Sequence, residues 1–267
     1  MRPDAPVARP PSRPDAARPR AGRFDRAALS QRLRAGLAAL GLDDSPVERL
    51  LDYLALLVKW NGVYNLTAVR DPARMLTQHL LDSLSIVAPL AERMPAHIGA
   101  TTGRVVDVGS GAGLPGIVLA IVWPRAEVLL VEPVGKKAAF LRHCRGELAL
   151  TNLDVAATRV EALGDAQRQP VPDLIVCRAF ASLADYVTAV DRLAGPHTLV
   201  AAMKGAVPAD EIAALPAPWT VDSVQPLHVP ELAATRHLLV LKRSRHDPTD
   251  TSGTGSRTRA EPINPEQ

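Results

Sequence analysis

The feature that most constrains this chain is a short apolar run that changes abruptly into a glycine-rich turn. The run 105–108 (VVDV) is followed by four glycines within eight residues, namely Gly109, Gly111, Gly113 and Gly116. β-branched residues predict a strand buried on both faces, and glycines allow positive φ and close approach of a ligand to the backbone. The apolar run 117–120 predicts a helix whose free N–H groups point back toward the turn. A strand, a glycine turn and a helix N-terminus in this order predict a nucleotide-cofactor site.

After the glycine turn, strand-like and helix-like segments alternate. The predicted strands are 105–108, 127–132, 154–159, 173–178, 198–204, 220–229 and 237–242, and the predicted helices after the turn are 136–150, 182–193 and 208–215. Repeated βα units of this kind predict an α/β fold, with a parallel sheet that is covered by helices on both faces.

The segment before the turn has helical periodicity instead. The first helix is predicted for 25–40. The second begins at a capping box, 45–48, with a proline at its first position, and stops at 61–62. The third begins at an aspartate N-cap, Asp71, and Pro89 closes it. Residues 24–100 are therefore predicted to form a small helical N-terminal module.

The two ends differ from the rest in composition and charge. Residues 1–23 are rich in proline and arginine with a net charge of +4, and residues 244–267 are polar with a net charge of −1. Neither end has the apolar side chains needed for a core, so we expect a disordered extension and a disordered tail. The total charge is +3, so residues 24–243 are neutral. Any RNA affinity must come from local basic patches.

Composition also excludes several classes of protein. The longest apolar runs are about six to eight residues, far short of the roughly 20 that cross a bilayer, so we expect no membrane segment. Cys144 and Cys177 are the only cysteines, too few for a disulfide framework or a structural zinc site. We therefore expect a cytoplasmic protein without a metal.

The glycine pattern by itself fits two cofactors. Residues 111–116 match the dinucleotide pattern GxGxxG, and Glu132 follows about 20 residues later, as an NAD site requires. Asp107 favours S-adenosylmethionine, because a carboxylate there can face the cationic sulfonium of that ligand but would repel the pyrophosphate of NAD. The spacing of Gly109, Gly111 and Gly113 also fits a turn around a methionine moiety.

Acidic residues after the next two strands fit the nucleoside part of such a ligand. Glu132 can accept hydrogen bonds from a ribose diol, and Val160 and Glu161 can contact the edge of adenine. Ligands of open α/β sheets bind at these carboxyl ends of the strands. S-adenosylmethionine is thus favoured, and an NAD-dependent oxidoreductase remains the alternative.

Several separate motifs resemble the RsmG (GidB) family of bacterial small-subunit rRNA methyltransferases, over about residues 29–243. The motifs are 59–61 with 64–67, 70–72, 79–83, 107–116, 135–137 with 140–141, 159–161, 178–183 and 204–205. The resemblance implies a class I methyltransferase-like, Rossmann-like fold. Its mostly parallel seven-stranded sheet would occupy residues 101–243, with helices on both faces, after the helical module.

The resemblance also implies the activity and the site. The reaction is transfer of a methyl group from S-adenosylmethionine to guanine N7 in the decoding-region loop of 16S rRNA, so the partner is 16S rRNA or the 30S subunit. Family cofactor contacts fall on Gly109, Leu114, Val160, Glu161 and Arg178. We expect a monomer. A protein that binds RNA and keeps the cofactor pocket without catalysis is a further alternative.

The chemistry of N7 explains which residues are needed. N7 has a free lone pair and needs no general base, so the enzyme must mainly align N7, the methyl carbon and the sulfur. Arg178, at the end of the fourth strand, is the predicted positioning residue. It could hold guanine O6 or a phosphate, and its purely structural role would be a salt bridge with Asp107 or Glu161.

Other side chains could contact RNA. Lys136, Lys137 and Lys204 are predicted phosphate contacts. Trp60 and Tyr64 could stack on a flipped base, although a core position is favoured for Trp60. His79 and Asp82, three residues apart on one predicted helix, could form a hydrogen-bonded pair near the site.

Overall fold

The computed structural model describes residues 22–94, 103–163 and 170–244. The N-terminal extension predicted for 1–23 and the tail predicted for 244–267 lie almost wholly outside the described residues, so both remain predictions. In the described ranges, no helix is both long enough and apolar enough to cross a membrane.

A sheet of seven strands forms the centre of the described part of the chain. The strands are β1 (Arg104–Val108), β2 (Glu127–Val131), β3 (Leu153–Ala156), β4 (Leu174–Arg178), β5 (Leu199–Lys204), β6 (Trp219–Pro226) and β7 (His237–Arg243). Their order is β3-β2-β1-β4-β5-β7-β6. β1 to β5 pair in parallel, and β7 pairs antiparallel with both β5 and β6. The predicted mostly parallel seven-stranded sheet is confirmed, and its strand order reverses between β1 and β4, where such sheets bind ligands.

Helices precede the sheet and connect its strands. They are α1 (Arg26–Ala39), α2 (Val47–Tyr64), α3 (Pro72–Met75), a π-helix (Leu76–Leu81), α4 (Asp82–Leu84), α5 (Val87–Arg93), α6 (Gly116–Val122), α7 (Gly135–Glu147), a 3-10 helix (Val160–Ala162), α8 (Leu183–Val190) and α9 (Ala209–Ala213). The predicted helical N-terminal segment is therefore present from α1 to α5.

Both predicted ends of α2 are wrong. Within the described part of the chain no side chain caps its start, where Pro46 occupies the N-cap position. Asn61 does not end the helix, because its buried amide bonds to the following loop: it donates to the Val69 carbonyl (2.9 Å) and accepts from the Thr67 N–H (2.8 Å). The helix continues to Tyr64 and ends at Asn65, whose φ of 51° is left-handed.

The predicted third helix is interrupted, and Pro89 does not close it. A π-helix occupies its middle, and α5 begins a few residues later with Pro89 in its first turn. A proline is tolerated there because the first N–H groups of a helix have no partner within the helix.

The N-terminal helices pack against α6 and α7 and share a continuous core with one face of the sheet. This cluster includes Leu33, Leu37, Leu50, Leu54, Leu57, Leu80, Leu119, Leu130 and Leu141, all buried. A second cluster covers the other face, where Tyr186 and Val187 of α8 pack with Ile175 of β4. The helical segment is thereby held, through α6 and α7, on one side of the sheet.

The two cysteines are core residues, as predicted. Cys144 in α7 and Cys177 in β4 are both buried and free. Burial raises the pKa of both thiols, so neither is available as a thiolate nucleophile.

Candidate active site

The glycine turn after β1 has an open side formed by its first two glycines. Gly109 and Gly111 have φ values of 70° and 58°. A Cβ added to Gly109 would meet no atom within 4 Å, and at Gly111 only the Gly109 carbonyl oxygen, at 3.8 Å. These two positions therefore line free space in which a ligand can approach the backbone closely.

The last two glycines of the turn face the protein instead. A Cβ on Gly113 would lie 2.4 Å from Ile117 Cδ1, and one on Gly116 would lie 2.2 Å from Leu130 Cδ2. Both are required for the close packing of α6 against the sheet. Packing thus explains Gly113, and its predicted contact with a cofactor stays a prediction.

Glu132, directly after β2, holds the turn in shape. Its side chain is buried, and its two carboxylate oxygens accept from the N–H groups of Gly111 and Val134, each at 2.8 Å. The Gly109 N–H also donates to the Val131 carbonyl, at 2.9 Å. Since each carboxylate oxygen has two lone pairs, this arrangement leaves acceptor capacity for the predicted ribose contact.

Asp107, near the end of β1, lies beneath the turn rather than on its open side. It is fully buried, and its Oδ2 accepts from the Gly116 N–H at 2.9 Å. Its Oδ1 has no hydrogen-bond partner among the residues that the structure describes. Burial raises the pKa of this carboxyl to about 7. Asp107 therefore fixes the junction of the turn with α6 and offers one unsatisfied acceptor.

Tyr53 contributes to the turn, although the sequence reasoning did not single it out. It is fully buried on α2, and its hydroxyl donates to the Ala112 carbonyl at 2.7 Å. A signal was present, because Tyr53 lies on the apolar face of α2 and a buried phenol needs a hydrogen-bond partner. This bond ties the N-terminal helices to the glycine turn.

Arg178 ends β4 and forms the centre of a second cluster. Its Nη1 donates to Asp82 Oδ2 and to the Gln78 carbonyl, both at 3.1 Å. Asp82 Oδ1 accepts from Arg236 Nε at 2.8 Å. The Asp82 side chain is only 4% exposed. The expected salt bridge of Arg178 with Asp107 or Glu161 is wrong: Asp82 holds it instead, because the N-terminal helices bring that carboxylate to the end of β4.

A cleft of about 430 Å³ opens at this cluster, beside the carboxyl ends of β4 and β5. It is lined by Gln78, His79, Asp82, Arg178, Ala179, Met203, Lys204, Gly205 and Arg236. Lys204 also pairs with Glu211, with Nζ 2.8 Å from Oε2. Ala179 has a φ of 60°, a strained value for a residue with a side chain. The cleft thus brings three cationic side chains around one buried carboxylate.

The expected pairing of His79 with Asp82 is wrong. His79 Nε2 lies 2.9 Å from Thr67 Oγ1, and Nδ1 lies 2.9 Å from the Gln78 carbonyl oxygen. The π-helix winds more residues into each turn than an α-helix, so residues three apart do not share a face as predicted. Burial, and then the charge of Arg178, lower the pKa of His79 to about 4, so it is neutral at pH 7.

The other predicted residues lie around the carboxyl edge but do not line this cleft. Leu114 is buried in the glycine turn, and Val160 is buried in the 3-10 helix. Glu161 has a half-exposed side chain and is 3.9 Å from Arg159 Nε. Lys136 is exposed, and Lys137 is half-buried, in the first turn of α7. In the described residues no group of three metal-binding side chains is assembled.

Comparisons with known proteins identify the family. The pattern of the GidB family, described as rRNA small subunit methyltransferase G, matches residues 47–239. The chain is 50% identical over 229 residues to ribosomal RNA small subunit methyltransferase G of Cupriavidus pinatubonensis, covering 82% of this chain and 96% of that protein. It is 52% identical over 223 residues to the protein of the same name from Burkholderia vietnamiensis, covering 82% and 95%. The chain therefore belongs to the GidB family of small-subunit rRNA methyltransferases.

Proposed function

We infer that this protein transfers a methyl group from S-adenosylmethionine to N7 of a guanine in 16S rRNA. The observation that carries the inference is the placement of two features at the reversal of strand order. The open glycine turn follows β1, and the cationic cleft lies at the end of the adjacent strand β4. Membership of a methyltransferase family favours this donor over NAD, which only the GxGxxG pattern supported.

The residues present fit the proposed methyl donor. Gly109 and Gly111 leave free the space that a side chain would fill, and the unpartnered Oδ1 of Asp107 is an acceptor below it. The residues proposed to hold the cofactor are Asp107, Gly109, Gly111, Gly113, Leu114, Glu132, Val160, Glu161 and Arg178. When bound, S-adenosylmethionine supplies an electrophilic methyl group on a sulfonium.

Arg178 is proposed to position the guanine. Arginine can donate to both O6 and N7 of guanine, but N7 must keep its lone pair free in order to attack. We therefore assign O6, or a neighbouring phosphate, to the guanidinium. Asp82 restrains that guanidinium, since it accepts a hydrogen bond from it, and Gln78 accepts another. A group held in one orientation lowers the entropic cost of alignment, which is the main demand of this reaction.

Methylation at N7 leaves a positive charge on the base, and a carboxylate in the cleft lowers the repulsion that this charge meets. Asp82 is the carboxylate among the lining residues, and it is almost fully buried. It neutralises part of the positive charge of Arg178 and Arg236, so the cleft opposes less strongly the positive charge that develops during the reaction. Because Arg178 and Arg236 are paired with Asp82, they should bind RNA phosphates less strongly than unpaired arginines would. The same pairing makes the cleft less repulsive to the positively charged product base.

The three lysines predicted to contact RNA are assigned to phosphates. Lys204 lies in the cleft. Lys136 and Lys137 lie in the first turn of α7, which begins three residues after Glu132. Contacts of this kind give affinity without sequence specificity.

Methyl transfer can be tested with 30S subunits that lack the modification. Incubation with methyl-labelled S-adenosylmethionine should place label on N7 of one guanine in the decoding-region loop, mapped by chemical cleavage at N7-methylguanine. Arg178→Ala should lower kcat/KM by at least tenfold, whereas the control Lys242→Gln, at an exposed pair with Asp222, should not. Binding of S-adenosylhomocysteine without any transfer of label would instead identify a non-catalytic RNA-binding protein.

A further inference from the structure

An aromatic cluster runs from the core to the surface where α2 meets α7. Phe140 is fully buried, and its ring centroid lies 5.5 Å from that of Trp60. Trp60 in turn lies 5.0 Å from His143 and 5.1 Å from Tyr64. The core position favoured for Trp60 is only partly correct, because one side of this ring packs against the core and the other continues to the surface.

Tyr64 is the exposed end of this cluster. It is 41% exposed, next to Val63 at 72%, and both are large apolar side chains at the last turn of α2. Within the described ranges, the Tyr64 hydroxyl makes no hydrogen bond, so no polar contact accounts for its position. Trp60, at the preceding turn, supports the ring at an interplanar angle of 32°. The result is an aromatic side chain that packs on Trp60 and is partly exposed.

Three lysines lie on the same two helices as this cluster. The chain has five lysines, and two of them, Lys204 and Lys242, pair with carboxylates. The other three, Lys59, Lys136 and Lys137, form no ion pair with any residue that the structure describes. Lys59 adjoins Trp60, and the other two lie one turn before Phe140 on α7.

A short chain of contacts joins this surface to the cleft at Arg178. Asn61, three residues before Tyr64, bonds to the backbone of Thr67. The Thr67 hydroxyl lies 2.9 Å from His79 Nε2, and His79 lines the cleft. The last turn of α2 is therefore tied, through Asn61 and Thr67, to a residue that lines the cleft.

We propose that Tyr64, supported by Trp60 and flanked by Lys59, Lys136 and Lys137, stacks on an unpaired base of 16S rRNA next to the target guanine. The proposal rests on the function proposed above and adds a second contact to it. Unpaired bases of RNA loops stack on aromatic rings, and nearby cations bind the phosphates that join them. A protein partner could pair its carboxylates with the lysines, but stacking on an aromatic ring is typical of unpaired RNA bases, so RNA is favoured.

The test compares Tyr64→Ala with Tyr64→Phe in steady-state methylation of unmodified 30S subunits. Loss of one base–aromatic stack should raise the KM for 30S by about 5- to 30-fold in Tyr64→Ala, with kcat within twofold. Tyr64→Phe keeps the ring and should match the wild type. A KM within twofold of the wild type for Tyr64→Ala, or an equal loss in Tyr64→Phe, would overturn the proposal. An unchanged Kd for S-adenosylhomocysteine verifies that each variant is folded.

Lys59→Gln provides an independent variant on the same surface, with Lys242→Gln as its matched control. Removal of one phosphate contact should reduce the slope of log KM against log salt by about 0.7, and the control should keep the wild-type slope. Equal slopes for the two variants would contradict the proposal. If the wild type transfers no methyl group at all, the proposed function fails by itself. The proposed stacking on Tyr64 is then tested by measuring the Kd for 16S rRNA directly. A higher Kd for Tyr64→Ala than for the wild type supports the proposal, and an equal Kd overturns it.

Discussion

Asp82→Asn tests the most unusual contact of the site. The substitution keeps the shape of the side chain but removes the charge that holds Arg178 and Arg236 together, at 3.1 and 2.8 Å. It also replaces one of the two acceptor oxygens by an NH2 group, which cannot accept from a guanidinium. One of the two arginines must therefore lose its partner in the cleft.

The expected loss of stability follows from the burial of the three side chains. Removing one member of a fully buried ion pair costs about 3–5 kcal/mol. Here Asp82 is 4% exposed, but Arg178 and Arg236 are 21% and 25% exposed, so water can take up part of the lost interaction. We expect a loss of about 2 kcal/mol, which lowers the Tm of a protein of this size by about 4–8 °C.

Activity should fall as well, because Arg178 is no longer held toward the cleft. A misplacement of about 1 Å in a positioning group can cost about 100-fold in rate, so we expect kcat to fall by about 10- to 100-fold. Calorimetric unfolding and single-turnover methylation measure the two effects. Asp222→Asn is the control, since its pair with Lys242 is exposed and should contribute less than about 1 kcal/mol. An Asp82→Asn protein with wild-type Tm and kcat would refute the assigned role of this carboxylate.

Four further substitutions test the glycine turn, its contact with Tyr53, and the buried His79. Gly116→Ala should lower the free energy of unfolding in urea by about 1–3 kcal/mol, because its Cβ would lie 2.2 Å from Leu130 Cδ2. Gly111→Asn should keep the fold but raise the Kd for S-adenosylhomocysteine at least tenfold, since asparagine tolerates positive φ but fills the open space. An unchanged Kd in Gly111→Asn would exclude that space as the cofactor site. Tyr53→Phe leaves a buried carbonyl without its donor and should cost about 1–3 kcal/mol, and a wild-type urea midpoint would contradict this. Folding lowers the pKa of His79 from 6.5 to about 4, so the unfolded chain binds more protons than the folded protein between these pH values. The free energy of unfolding should therefore fall as the pH falls from 6.5 to 4. In His79→Gln the free energy of unfolding should depend less on pH over that range.

Much of the fold could be predicted from the sequence because its signals are local. β-branched runs, the glycine turn and capping residues act over a few residues, and the predicted N-cap Asp71 accepts a hydrogen bond from the Ala73 N–H. The ends of α2 and the π-helix were not predictable in the same way. Asn61 is of a residue type that often ends helices, but its buried side chain bonds to the following loop and the helix continues to Tyr64.

In the candidate site, too, the features set by local sequence were predicted and those set by long-range packing were not. The glycine turn is contiguous in sequence, and its open side was predicted from its composition. The cleft depends on Asp82 and Arg236, which are 154 positions apart, and on Arg178, which is 96 positions from Asp82. No local pattern determines which arginine a given aspartate meets, because that choice is made by the packing of the N-terminal helices on the sheet. Asp82 was therefore assigned the wrong partner, although it was correctly placed near the site.

A crystal structure with S-adenosylhomocysteine tests most directly whether the glycine turn and the Arg178 cleft form one methyl-transfer site. We expect the ligand to lie on the open side of Gly109 and Gly111, with its sulfur toward the cleft that contains Arg178 and Asp82. A ligand bound elsewhere, or one whose sulfur faces away from this cleft, would show that the two features do not form one site.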